Sequence, residues 1–198
     1  MSRLATSFVL GYHGCDASVA RSAIDGEIAL LQSERDYDWL GPGIYFWESD
    51  PQRAREWADS KVARGEYAEA AVIGAVIDLQ NCLDLVSRQD LELLRQMYDQ
   101  FVDQQNEAGL ELPRNRGVRG DPHDDRILRY LDCAIIRHLH SVIESVPVSN
   151  GGAPAFETVR GMFTEGGELY PGSGFRAQTH VQIAVRSLAC IKGVFRPR

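Results

Sequence analysis

The hydrophobic positions change rhythm several times along the chain. Phe8-Val9-Leu10-Gly11-Tyr12-His13 alternates like a strand, with Phe8, Leu10 and Tyr12 on one face and Val9, Gly11 and His13 on the other. Gly14 ends the run, and Asp16 or Ser18 is placed to cap a short helix reaching about Asp25. Residues 26–42 are polar and close on Leu40-Gly41-Pro42-Gly43, a strong turn signal, so they read as a loop. A short strand follows at Ile44-Tyr45-Phe46-Trp47. Ser49, Asp50 and Pro51 then open a helix, with proline near its first position and Ala54, Trp57, Ala58 and Val62 on one side.

Further on, residues 71–79 form an almost unbroken apolar run that suits a buried strand, and residues 82–85 extend or follow it. Leu91, Leu94, Met97, Tyr98 and Phe101 recur at helical spacing and predict a helix of about 20 residues from near Asp90. Residues 110–125 read as a loop carrying Arg114, Arg116 and Arg119. A second amphipathic helix is predicted from Asp125 to about Ile143, with Asp124-Asp125 as an acidic pair favoured by the helix dipole. Residues 147–155 are loop, and short strands are expected at 158–163, 180–186 and 190–195. Two helical blocks between clusters of strands predict an α+β chain rather than a doubly wound sheet, and no GxGxxG follows a strand. The first and last strand clusters are each too small to fold alone, which favours one domain.

Composition narrows the function. In 198 residues, 44% hydrophobic content supplies a core, and a net charge of −7 lacks the basic footprint of a general nucleic-acid binder. No apolar run approaches the roughly 18 residues of a membrane span, and the start is too short for a signal peptide with its cleavage site. Cys15, Cys82, Cys133 and Cys190 are scattered, without a CxxC pair, so no zinc site is expected. Three of them sit in apolar surroundings, as buried thiols of a reduced cytoplasmic protein do. His138 and His140 are two apart on a helix and do not share a face, a poor metal pair, and Ser173 sits in a loop.

Three places carry candidate chemistry. His13 closes a strand beside Gly14, where a missing side chain lets a ligand approach the backbone. Tyr45 follows the Gly41-Pro42-Gly43 turn. In 180–186, Val181, Ile183 and Val185 share one strand face, and His180, Gln182, Ala184 and Arg186 share the other. A mid-strand amide such as Gln182 must find hydrogen-bond partners; otherwise this face is simply solvated.

Taken in order, Tyr12-His13-Gly14-Cys15, a short helix, Gly41-Pro42-Gly43-Ile44-Tyr45-Phe46 and a helix carrying Ala54, Trp57 and Ala58 resemble the front half of the NAD-binding site of PARP-like ADP-ribosyltransferases of the H-Y-E type. The likeness is close over about residues 8–58 and looser in the last strands. There, Val159-Arg160-Gly161-Met162-Phe163-Thr164-Glu165-Gly166 and residues 179–195 are similar to bacterial members of that group. Residues 60–155 do not align with the poly(ADP-ribose) polymerases.

The resemblance implies an ADP-ribosyltransferase-like fold: two small antiparallel sheets flanked by helices, with an NAD cleft between them. It implies one domain over 1–198, with a helical insertion at about 88–146. His13 would bond an NAD ribose hydroxyl, the Gly14 backbone would hold the nicotinamide carboxamide, Gly43 would allow close backbone approach, and Tyr45 would stack on the nicotinamide ring. The third position, usually Glu, falls on Gln182, a variant accepted among bacterial relatives; Glu165 and Glu168 are the fallback carboxylates. Gln182 cannot act as a general base, so transfer of a single ADP-ribose is expected rather than polymer growth, with the acceptor supplying its own nucleophile or a local base such as His180, and NAD hydrolysis as the side reaction.

The expected protein is thus a cytoplasmic mono-ADP-ribosyltransferase with NAD as substrate, a bacterial toxin or defence effector. Its partners would be a protein, nucleic-acid or small-molecule acceptor and an antitoxin or inhibitor; no membrane and no metal are expected. Two alternatives stay open: a non-catalytic NAD or ADP-ribose binding module, and an RNA 2′-phosphotransferase-like enzyme using Arg21, Arg35, Arg53 and Arg160.

Overall fold

A computed structural model describes residues 8–118, 120, 123 and 125–198 of the chain. Arg119 and Asp124 lie outside the described residues, as do residues 1–7. The elements run β1 (Phe8–Asp16), α1 (Ala17–Ile24), β2 (Ile44–Glu48), α2 (Pro51–Ala63), β3 (Ala70–Asp78), β4 (Cys82–Asp84) and α3 (Arg88–Glu107). Then come α4 (Tyr130–Glu144), β5 (Thr158–Phe163), β6 (His180–Val185) and β7 (Ile191–Phe195).

The α+β class is as the sequence predicts. The strands, however, form one mixed seven-stranded sheet in the order β4-β5-β6-β2-β1-β3-β7, where two sheets were expected. The reason lies at the junction of β1 and β2. They pair only at Gly11 with Glu48 and Tyr12 with Trp47, whereas β1 pairs with β3 over its whole length from Phe8 to Asp16. Two pairs keep the sheet continuous, and beyond Tyr12 the strands part. The same long ladder with β3 carries β1 past Gly14, where the sequence ends it.

Both faces of the sheet are covered. On one, Ala20 and Ala23 of α1 pack with Cys15, Phe46, Ile73, Ile77, Ile183 and Val185. On the other, Met97 of α3 and Ile135, Ile136 and Leu139 of α4 pack on Leu83, Val159 and Ala184. Helix α2 lies on this second face too, because Gly14 shares it with Trp47 and Tyr45 by register and a Cβ on Gly14 would collide with the Ala54 carbonyl. The absent side chain at Gly14 therefore serves helix packing. The face of β6 that carries His180, Gln182 and Ala184 is not simply solvated: His180 and Ala184 are buried and Gln182 is half-buried.

Caps decide the helix ends. Asp16 caps α1 through the Ser18 amide at 2.9 Å, and Asp50 caps α2 through the Arg53 amide at 2.9 Å. Helix α4 begins at Tyr130, five residues later than the sequence predicts. Asn115, from the preceding loop, accepts from the Leu131 and Asp132 amides at 2.9 and 3.3 Å, while Asp125 accepts from the Gly166 amide at 2.7 Å instead. All four cysteines are buried. No helix among the described residues is long and apolar enough to cross a membrane.

Candidate active site

A cavity of about 580 Å³ opens where β1 and β2 part. That is within the roughly 300–1,000 Å³ of small-molecule sites. His13, Gly14, Gly43, Tyr45 and Gln182 all line it, so residues far apart in the chain meet around one cavity.

His13 replaces a broken ladder bond. Its Nδ1 lies 2.8 Å from the Tyr45 carbonyl oxygen. A carbonyl only accepts, so Nδ1 carries the proton and Nε2 is left as an acceptor. Burial holds the ring below the ordinary histidine range, opposed in part by that carbonyl, so the ring is neutral near pH 7. Leu10 accepts the Ser49 amide at 2.9 Å, which turns the backbone groups of Leu10, Tyr12 and Gly14 toward β2. Tyr12 meets Trp47 there; Gly14 lies past the last pair, its backbone facing the cavity.

Tyr45 is held by its hydroxyl, which donates to the Gly41 carbonyl at 2.8 Å and accepts from the Leu40 amide at 3.0 Å. Burial, with Asp38 adding, drives its phenol well above its ordinary pKa. It thus offers a fixed neutral ring and no base. Gly43 also lines the cavity. Its N–H and carbonyl both bond Ser33, at 3.0 and 2.9 Å, so Gly43 lines the cavity without a free backbone group.

Gln182 sits beside Trp47 in the β2–β6 pairing and opposite Gly161 of β5. The Trp39 indole, a pure donor, gives its hydrogen to Gln182 Oε1 at 2.6 Å. That fixes the amide and leaves its N–H groups as donors for the cavity. Gly161 permits this, since a Cβ there would meet the Trp39 ring.

Of the two fallback carboxylates, Glu165 lines the cavity and Glu168 does not. Glu165 is buried and ion-paired with Arg53, whose Nε is buried without a hydrogen-bond partner. Burial lowers the Arg53 pKa. Among the other arginines singled out, Arg35 lines the cavity; Arg21 does not, and Arg160 is paired with Glu48 and Asp84.

The sequence reading missed the aromatic wall. Rings follow one another from Trp39 to Phe163 at 5.0 Å, Phe163 to His180 at 5.6 Å, His180 to Trp47 at 6.1 Å and Trp47 to Trp57 at 5.9 Å. Strand alternation already puts Trp47 on the face of Tyr45; no local signal marks Trp39. Among the described residues no group of three or more His, Cys, Asp or Glu is arranged to hold a metal ion. In comparisons of the chain with protein-family models, curated proteins and solved structures, nothing matches.

Proposed function

We propose that the chain is a mono-ADP-ribosyltransferase that cleaves the nicotinamide–ribose bond of NAD, on an ADP-ribosyltransferase-like fold in which α3 and α4 form the helical insertion. The observation that carries this reading is the cavity that His13, Gly14, Tyr45 and Gln182 line together. In it, the Gly14 backbone holds the carboxamide, the Tyr45 ring stacks on the nicotinamide, His13 Nε2 accepts a ribose hydroxyl, and Gln182 donates to a hydroxyl of the other ribose.

Breaking the bond builds positive charge on the ribose. A carboxylate at about 4 Å and an effective dielectric near 20 contributes about 4 kcal/mol, roughly a thousandfold as an upper bound. Gln182 keeps the orientation and gives up most of that electrostatic help. Polymer growth, which needs a base at this position, does not follow.

The neutral Gln182, its oxygen already taken by Trp39, favours one second reading, a module that binds NAD without cleaving it. An RNA 2′-phosphotransferase is disfavoured because Arg53 and Arg160 are spent on carboxylates.

The test uses NAD labelled on the adenine side, with and without cell lysate, beside a Gln182→Ala control. Nicotinamide release with label retained on a macromolecule, both lost in the control, supports transfer. NAD binding without release supports the module. Absence of NAD binding overturns both.

A further inference from the structure

His180 lines the cavity, and the NAD contacts above leave its chemistry unused. It is 7% exposed, and its Nε2 is buried with no hydrogen-bond partner among the described residues. Its Nδ1 lies 2.7 Å from the Gln178 carbonyl. That carbonyl only accepts, so the proton is on Nδ1 and Nε2 presents a lone pair. The ring is stacked on Phe163, its direct partner across β5–β6, with 20° between planes, and Trp47 lies at 6.1 Å. Two residues along one strand, His180 and Gln182 share a face about 7 Å apart.

We propose that His180 is the general base of the transfer step and that the acceptor is a neutral O–H or N–H group. The proposal rests on the NAD-cleaving reading above. The acceptor's lone pair forms the new bond to ribose C1′, and the C1′–nitrogen bond breaks. Its electron pair leaves with nicotinamide as a neutral ring. The acceptor's proton passes to His180 Nε2, giving an imidazolium that later releases it to water. A carboxylate acceptor arrives already deprotonated and has no use for such a base.

The charged groups around the ring are Arg53 of α2 and its N-cap Asp50, Glu165 after β5 and Arg129, whose guanidinium lies 4.7 Å from the Phe163 ring. Desolvation, with Arg53 adding, lowers the pKa of His180, so the base is unprotonated at neutral pH. Burial alone is not the reason for choosing His180. His140 is equally buried with both ring nitrogens unpartnered, yet it packs against Phe156 away from the cavity.

Two small nucleophiles probe the step with the full chain and NAD. Methanol must lose a proton to give methyl-ADP-ribose; azide gives azido-ADP-ribose without losing one. In His180→Asn, the methanol and water products are expected to fall at least about tenfold relative to the azide product, since a positioned base contributes about 10²–10⁴-fold. NAD affinity should stay within about threefold of wild type. An equal loss of both products, or no loss, overturns the base while leaving cleavage intact. Wild-type protein that binds NAD and yields neither product overturns transfer and base together.

Discussion

Trp39 donates its indole N–H to the side-chain oxygen of Gln182 at 2.6 Å, joining a loop residue to the sixth strand. The amide is therefore oriented by a residue that itself lines the cavity. Trp39→Phe keeps an aromatic ring but loses the donor and part of the packing against Phe163 and Gly161. A net hydrogen bond is worth about 0.5–1.5 kcal/mol, so NAD cleavage should fall about two- to tenfold, beyond what a loss of folding stability measured by urea denaturation accounts for. Nicotinamide release by the variant checks this; an unchanged rate means the orientation is unimportant.

Gln182→Glu should raise the cleavage rate. A carboxylate still accepts the Trp39 hydrogen and adds charge where the ribose becomes cationic. An increase of tenfold or more is expected, bounded by the roughly thousandfold worth of a full charge pair. A slower enzyme with unchanged NAD binding would count against the ribose lying beside this residue.

Tyr45→Phe isolates the hydroxyl from the ring. The loss leaves the buried Leu40 amide and Gly41 carbonyl without this partner, at a cost of about 1–3 kcal/mol. Urea denaturation should show that loss while NAD affinity changes less, because the stacking surface survives. A drop in affinity without a drop in stability would reassign the hydroxyl to the ligand.

Gly14→Ala pushes a methyl group into the Ala54 carbonyl. Overpacking of this kind costs about 1–3 kcal/mol, more where backbone must move. The denaturation midpoint should fall, and NAD binding with it as α2 is displaced. Equal stability of the two proteins would mean that α2 does not sit as closely as described.

Acid should destabilise the protein before its carboxylates titrate. His13, His140 and His180 all have pKa values lowered by burial, His140 to about 3. The unfolded chain takes up these protons near 6.5, so the stability they contribute is whole above pH 6.5 and is lost as pH falls. Each such imidazole costs up to about 1.4 kcal/mol per pH unit below 6.5. His140→Leu should flatten the decline between pH 6.5 and 4.5 in urea titrations. An unchanged slope would place the sensitivity elsewhere.

The strands were legible because their alternation is strict: Tyr12 and Gly14, Tyr45 and Trp47, and His180 and Gln182 each share a face by counting residues. So were the helix caps at Asp16 and Asp50, which are local chemistry. What the chain hides is what depends on distant partners. Helix α4 starts where Asn115 caps it, and no residue near Tyr130 signals that. Gly43 looks like an open turn residue until Ser33 claims both its backbone groups. Arg53 reads as a free cation until Glu165 meets it. The candidate residues His13, Tyr45 and Gln182 were each marked locally; the charges around them were not.

The β1–β2 junction has a mechanical consequence. β7, β3 and β1 form one panel, and β2, β6, β5 and β4 another, joined by two rungs at Gly11 and Tyr12. The seam has the fewest paired residues of any junction in the sheet, yet Ile44 and Phe46 of one panel share a buried core with Cys15, Ile73 and Ile77 of the other. His13 and Gly14 ride on one panel, Tyr45 and Gln182 on the other, so side-chain packing rather than a backbone ladder sets the distance between the two halves of the cavity.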